Sequence, residues 1–210
     1  MSDSVNRRLE LLQTEYIDIV QLHSCGIEIL DQGDAIRALQ DAKAAGKIGH
    51  VAYSRDNEAA RWAVNSGLFD ALQTSLNLTE QAARTSGLLA EAEDQGLGVL
   101  VKRPIGGATW APAKQGIEPS RNYDRQYYAR ARAMAKLGDL PEEPTDAVLL
   151  ALGFTLAHTE VDVAIVGTKS PNHMRTNLDL AERDLPISAA AVTELQARWD
   201  RIGGGWRQLQ

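Results

Sequence analysis

The 210-residue sequence predicts a parallel α/β fold of repeated strand–helix units, on two observations. Five short, near-continuously apolar runs alternate with longer amphipathic stretches, and glycines, prolines and short polar residues fall at the joins. Near-continuous apolarity suits parallel strands covered on both faces, whereas strands with one wet face alternate apolar with polar residues. The expected strands are 16–23, 48–54, 71–75, 98–102 and 162–166. The expected helices are 34–45, 58–65, 80–95, 144–157 and 171–181, with another at 4–13 ahead of the first strand. This alternation is the pattern of βα units around a parallel sheet.

The joins support each element in turn. Asp56 and Thr79 are the expected N-caps of the helices at 58 and 80, since a short polar side chain there accepts from the first free N–H groups. Gly46, Gly67 and Gly96 fall just past helix ends, where the chain needs a left-handed residue. Ser170-Pro171 reads as an N-cap followed by proline at the first helical position. Between 104 and 144 the pattern is irregular, with Gly106-Gly107, Trp110, Pro112, Pro119 and a helical stretch near 123–137. An insertion this long is either a functional loop at the carboxyl face of the strands or a surface excursion. A last helix at 188–202 stops at Gly203-Gly204-Gly205, and the tail 206–210 either folds back over a pocket or frays. No linker divides the chain, so one domain spanning 1–210 is expected.

Composition removes several function classes. With 44% hydrophobic and 24% charged residues the chain has the make-up of a soluble globular protein. A net charge of −6 argues against a nucleic-acid partner. The single Cys25 excludes an internal disulfide framework and a cysteine zinc site, and a small apolar role suits it better than reactivity. The four histidines show no pair at i+3 or i+4, so no metal is expected. No apolar run reaches a membrane-spanning length and no signal peptide is evident, which points to a cytoplasmic address and no membrane partner.

The polar residues that close the apolar strands are the candidates for chemistry, because barrels of βα units collect their active sites at the carboxyl ends of strands. They are His23, Ser54-Arg55, Gln73 with Asn77, Lys102-Arg103, and Gly167-Thr168-Lys169. Each alone has a bland reading as a hydrogen-bonded, capping or solvated residue. Five consecutive strands ending this way are better evidence than any one. A dinucleotide fingerprint is absent: Gly96-Leu97-Gly98 precedes its strand and lacks the third glycine. A phosphate loop and a serine nucleophile elbow are absent too.

At this point the chain resembles the carboxyl-terminal two-thirds of an aldo-keto reductase, from the fourth barrel strand onward. The resemblance is carried by residues 12–23 (LQTEYIDIVQLH), 45–49 (AGKIG), 51–54 (VAYS), the Gln73…Asn77 pair, 98–106 (GVLVKRPIG), and 165–170 (IVGTKS) followed by Asn177. It implies a partial (β/α)8 barrel of about five parallel βα units plus a C-terminal helix. It also implies an NADPH-dependent reductase of small-molecule aldehydes or ketones. Hydride delivery builds negative charge on the carbonyl oxygen, which needs a positioned acid and hydrogen-bond donors. His23 matches the family's carbonyl-orienting histidine. Ser54 and Gln73 match positions that hold the nicotinamide carboxamide, and Arg55 stands where an asparagine is common. Lys102 replaces an aromatic that often stacks on the nicotinamide. The cofactor segment continues through Arg103, and Pro104 and Ile105 keep the loop pattern beside the pyrophosphate. Gly167, Thr168 and Lys169 match the adenosine-phosphate segment, with Lys169 a candidate for the 2′-phosphate. His173 and Asn177 match the adenine side.

The family's aspartate, tyrosine and lysine lie on earlier βα units, and about 90 of the usual ~250 barrel residues would precede this chain. The expectation is therefore a truncated reductase. The alternatives are a catalytically silent nucleotide-binding remnant, a barrel half that associates through the open edges of its first and last strands, and a scaffold without cofactor affinity. Tyr53 is one residue out of phase with Ser54 and is expected to face the opposite side. Substrate choice is expected to lie in the 106–140 insertion and the tail.

Overall fold

A computed structural model describes residues 2–209, with side chains from Ser4. Five strands form one sheet in the order β1 (Ile17–His23), β2 (Ile48–Ser54), β3 (Ala71–Ser75), β4 (Gly98–Lys102), β5 (Val163–Ile165). The fold is the expected α/β arrangement, and β1 and β5 are the outer strands. The β1–β2 and β2–β3 pairs are parallel.

Packing groups the residues into two compact units, the first running to Thr74 with Gly87–Leu100, the second holding Ser75–Ser86 with Val101–Leu209. In the first, β2 is the buried centre: Val51, Ala52, Tyr53 and Ser54 are all buried, so both faces of the strand are covered. Helix α1 (Ser2–Leu12) precedes β1, and α2 (Ile27–Gln32) follows it. Helix α3 (Asp34–Ala44) buries Ile36, Leu39 and Ala42, and α4 (Asn57–Ser66) buries Ala59, Ala60, Ala63 and Val64. Those spacings give each helix one apolar stripe. The small alanines of α4 let its backbone lie close to its neighbours.

The predicted helix at 80–95 is two helices, α5 (Ala82–Thr85) and α6 (Leu88–Asp94). Gly87 separates them at φ 80°, a left-handed conformation that ends one helix and starts the next. Thr79 is therefore no N-cap. It is buried in a tight turn in which Asn77 and Glu80 exchange backbone hydrogen bonds of 2.9 and 3.0 Å. Asp56 stands at the N-cap of α4 but makes no capping bond, and its carboxylate accepts from the Thr74 hydroxyl at 2.9 Å. Gly46, Gly67 and Gly96 do adopt left-handed φ.

In the second unit, the long insertion forms α7 (Trp110–Gln115) and α8 (Arg125–Ala135). Helix α9 (Ala147–Leu156) is apolar on all sides and buries Leu150 through Thr155. Asp146 caps it, accepting from Val148 and Leu149 N–H at 2.7 and 3.0 Å. Helix α10 (Pro171–Arg183) buries none of its residues and is capped by Ser170, as its sequence predicts. Helix α11 (Ala189–Ile202) buries Ala191, Leu195, Arg198 and Trp199.

Candidate functional site

In the first unit, three candidate residues end three neighbouring strands in one register line: His23 pairs with Ser54, and Ser54 with Gln73. Register partners in parallel strands share a face, so the three side chains stand in a row. The preceding residues Leu22, Tyr53 and Leu72 form the matching row on the other face, all buried. His23 is exposed, with Nδ1 3.0 Å from the Ser24 hydroxyl. Ser24 turns the chain at φ 62° and its N–H donates to the Ser54 carbonyl at 3.0 Å, which ties the two strand ends together. Gln73 is half-buried. The Ser54 hydroxyl is fully buried and has no hydrogen-bond partner. Buried polar atoms are rarely left so, and this one holds an unused donor and acceptor within the row.

Arg55 points elsewhere: its Nη1 donates to the Ser24 carbonyl at 3.4 Å and braces the loop after β1. Tyr53, in phase with the core, donates to the Cys25 carbonyl at 2.6 Å and packs on Phe69. Burial holds its hydroxyl up at about 12. Burial also raises the Cys25 thiol, which suits an unreactive, half-buried group. A cavity of about 310 Å³ in this unit is lined by His23 and Cys25 together with Val5, Val20, Leu22 and Leu39.

In the second unit, β4 ends in Lys102, and Arg103 follows at φ 61°, a strained conformation for a non-glycine residue. Asn77 fixes that turn. Its Nδ2 donates to the Arg103 carbonyl at 3.0 Å, while its Oδ1 accepts from the Thr79 N–H and hydroxyl at 3.0 and 2.9 Å. Gly106, at φ 50°, lies so close that a Cβ would stand 3.1 Å from Asn77 Oδ1. Pro104 is buried and its carbonyl accepts from Thr155 Oγ1 at 3.2 Å, whereas Ile105 is half-buried. The Arg103 guanidinium lies 5.4 Å over the Tyr123 ring and donates to the Tyr127 hydroxyl at 3.4 Å. Burial pushes Tyr127 up to about 12 despite that cation.

Between β5 and α10, Gly167, Thr168 and Lys169 are exposed, and on α10 His173 is exposed and Asn177 half-buried. Thr168 Oγ1 accepts from Ser170 N–H at 3.1 Å, which shapes the step into α10. Because β5 adjoins β4, these residues follow the strand next to the one that ends in Lys102.

Two groups that the sequence did not single out are Glu80 and Arg130, a buried ion pair of 2.5 Å. The only signal was an arginine among the tyrosines and alanines of α8. Burial raises the Glu80 carboxyl, opposed by the Leu209 N–H and by Arg130. Among the described residues no cluster of metal ligands is present, and no helix is long and apolar enough to cross a membrane.

The strands neighbour one another in strict chain order, with helices between them and polar residues at their carboxyl ends. This is the arrangement of a barrel-type α/β protein rather than of a doubly wound sheet, whose order reverses. The chain belongs to the aldo/keto reductase family, whose model matches residues 1–199. That family consists of oxidoreductases that generally use NAD(P)H. A curated relative, L-galactose dehydrogenase of Arabidopsis thaliana, is 25% identical over 206 residues, covering 92% of this chain and 58% of the relative. The holo form of aldo-keto reductase AKR11C1 from Bacillus halodurans superposes with a TM-score of 0.71 at 21% identity, covering 94% of this chain and 66% of its own. Its apo form gives 0.73 at 21%, covering 93% and 66%. The chain thus spans under two-thirds of the length of each.

Proposed function

We propose that these strands belong to an NADPH-dependent reductase of aldehydes or ketones, with His23 orienting the carbonyl and Ser54 and Gln73 holding the nicotinamide carboxamide. The observation that carries this is the row His23–Ser54–Gln73, in which a buried hydroxyl stands without a partner. A carboxamide supplies both a donor and an acceptor, which is what an unpaired serine hydroxyl beside a glutamine amide can satisfy once the ligand displaces what covers it. Bound there, the nicotinamide would supply the hydride.

The remaining candidates suit the rest of such a cofactor. Arg103, Pro104 and Ile105 lie in a rigid turn at the end of β4, suited to the pyrophosphate. Lys102 and Arg55 are peripheral contacts. Exposed Lys169 offers a point charge to a 2′-phosphate, with Gly167 and Thr168 beside it and His173 and Asn177 toward the adenine. The proton donor is proposed to come from βα units that this sequence does not contain, since Tyr53, Tyr127 and Tyr128 are buried and exposed Tyr123 lies under the Arg103 and Arg121 guanidinium groups in the insertion. Titration of NADPH against the chain by nucleotide fluorescence tests the reading. Saturable binding that weakens in Ser54→Ala is the expected result; a chain that shows none refutes it.

A further inference from the structure

The C-terminal tail of the second unit is held by its main chain. The Arg207 carbonyl accepts from Arg130 Nη2. Leu209 is gripped at both of its backbone polar groups: its N–H donates to Glu80 Oε2 at 3.0 Å, and its carbonyl accepts from Arg103 Nη1 at 2.8 Å. Trp206 packs edge-on against Trp199 at 5.2 Å, with the Arg130 guanidinium 5.3 Å from the Trp206 ring centre. Just before this segment, Gly204 and Gly205 are exposed, and a Cβ on either would meet nothing within 4 Å. They are the central residues of a turn closed by the Trp206 N–H to Gly203 carbonyl bond of 2.9 Å, and their conformational freedom makes that turn the joint between α11 and the tail.

Two features make the closed arrangement exchangeable. The Leu209 carbonyl offers Arg103 one neutral acceptor, whereas a phosphate adds the opposite full charge and a forked, two-bond geometry, so the carbonyl is the weaker partner. Glu80 Oε1 is fully buried without a partner while the tail is seated, so the closed arrangement leaves one carboxylate oxygen unsatisfied.

We propose that residues 206–209 are a hinged C-terminal latch that competes with a phosphate-bearing ligand for Arg103. The proposal rests on the reading of Arg103 as a group beside the cofactor's pyrophosphate. Phosphate oxygens take Nη1 from the Leu209 carbonyl, and the tail swings out on Gly204-Gly205, withdrawing the Leu209 N–H from Glu80. By linkage, each event then favours the other to the same degree.

Hydrogen exchange of the C-terminal peptide, followed by mass spectrometry while inorganic pyrophosphate is titrated into the full chain, tests this. Exchange across 206–209 rises about fivefold or more at saturation, and Trp206→Ala, which loosens the latch, binds pyrophosphate about fivefold more tightly. Gln208→Ala removes one tether to the Ser75 carbonyl without touching the ring packing, and shifts both readouts in the same direction even if Trp206→Ala fails to fold. Unchanged or slower exchange, unimproved affinity in both variants, or no pyrophosphate binding in any of the three proteins overturns the latch. NADPH titrated in parallel separates the two readings. Opening by pyrophosphate without saturable NADPH binding removes the cofactor reading alone, and NADPH binding with unchanged tail exchange removes the latch alone.

Discussion

His23 and Ser54 are register partners across β1 and β2, which puts an exposed imidazole and a buried, unpartnered hydroxyl side by side at the ends of neighbouring strands. With a side-chain period of two, a one-residue slip would exchange this row for Leu22, Tyr53 and Leu72. The buried Tyr53 and Leu72 hold the register, because slipping would carry them out of the core.

Ser54→Ala removes one hydrogen-bonding group from the row and leaves the strand pairing intact. NADPH binding should weaken by about 2- to 10-fold, the worth of a single neutral hydrogen bond. Thermal stability should stay the same or rise slightly, since a buried orphan hydroxyl is lost. Nucleotide titration and a melting curve on the same sample check both.

His23→Ala should leave NADPH binding nearly unchanged, because the proposed role concerns the carbonyl. In a barrel completed with βα units taken from a full-length relative, carbonyl turnover should fall by about 10²-fold, in line with loss of one donor to a developing oxyanion. Equal loss of binding and turnover would contradict the assignment.

Arg198 is buried, yet donates to the carbonyls of Met134, Gly138 and Asp139 at 3.1, 3.0 and 2.9 Å and to Glu194 at 2.8 Å. It ties together the last turn of α8, at Met134, and the stretch just beyond that helix, at Gly138 and Asp139. Arg198→Ala should cost about 2–4 kcal/mol, since it removes several hydrogen bonds from one buried guanidinium at once and empties its place in the core. Urea unfolding measures it, and Arg198→Lys should restore part of the loss.

His158 is buried as a neutral ring, with Nδ1 2.9 Å from the Phe154 carbonyl and Nε2 3.3 Å from the Gln196 amide. Burial holds its pKa below the ordinary 6.5. The unfolded chain therefore takes up this proton first as pH falls. The contribution is fully present above 6.5 and is lost as pH drops from 6.5 through the lower folded value. His158→Gln should flatten that part of the stability profile; an unchanged slope between wild type and variant would contradict it.

Gly49 lies where β1 and β2 run close together. A Cβ there would sit 2.7 Å from the Asp18 carbonyl oxygen and against the Tyr16 hydroxyl. Gly49→Ala should destabilise the first unit by about 1–3 kcal/mol, as overpacking does. Gly67→Ala, with open space at φ 65°, should cost about 1 kcal/mol from backbone conformation alone. Chemical denaturation of the two variants side by side distinguishes the causes.

The strands were legible because parallel strands buried on both sides need runs of apolar residues, and β2, β3 and β4 begin and end where those runs do. The break at Gly87 was not. Helical periodicity continues across it; the left-handed φ at that glycine separates α5 from α6, and the Asn77–Glu80 turn holds back the start of α5 to Ala82. Among the candidate residues, spacing within each strand identified His23, Ser54 and Gln73 singly.

The order of apolar runs and the polar residue closing each one determined the α/β class and the family resemblance, because periodicity and punctuation are local properties of the chain. Only the tertiary structure decided that His23, Ser54 and Gln73 form a row, since register depends on which strands pair. It alone bound the tail: Glu80, Arg103 and Arg130 meet residues 207–209 across sequence separations of 77 to 129 residues. No local pattern encodes contacts at that distance. They exist because a buried carboxylate and two guanidinium groups must find partners, and the folded chain brings the backbone of the tail within their reach.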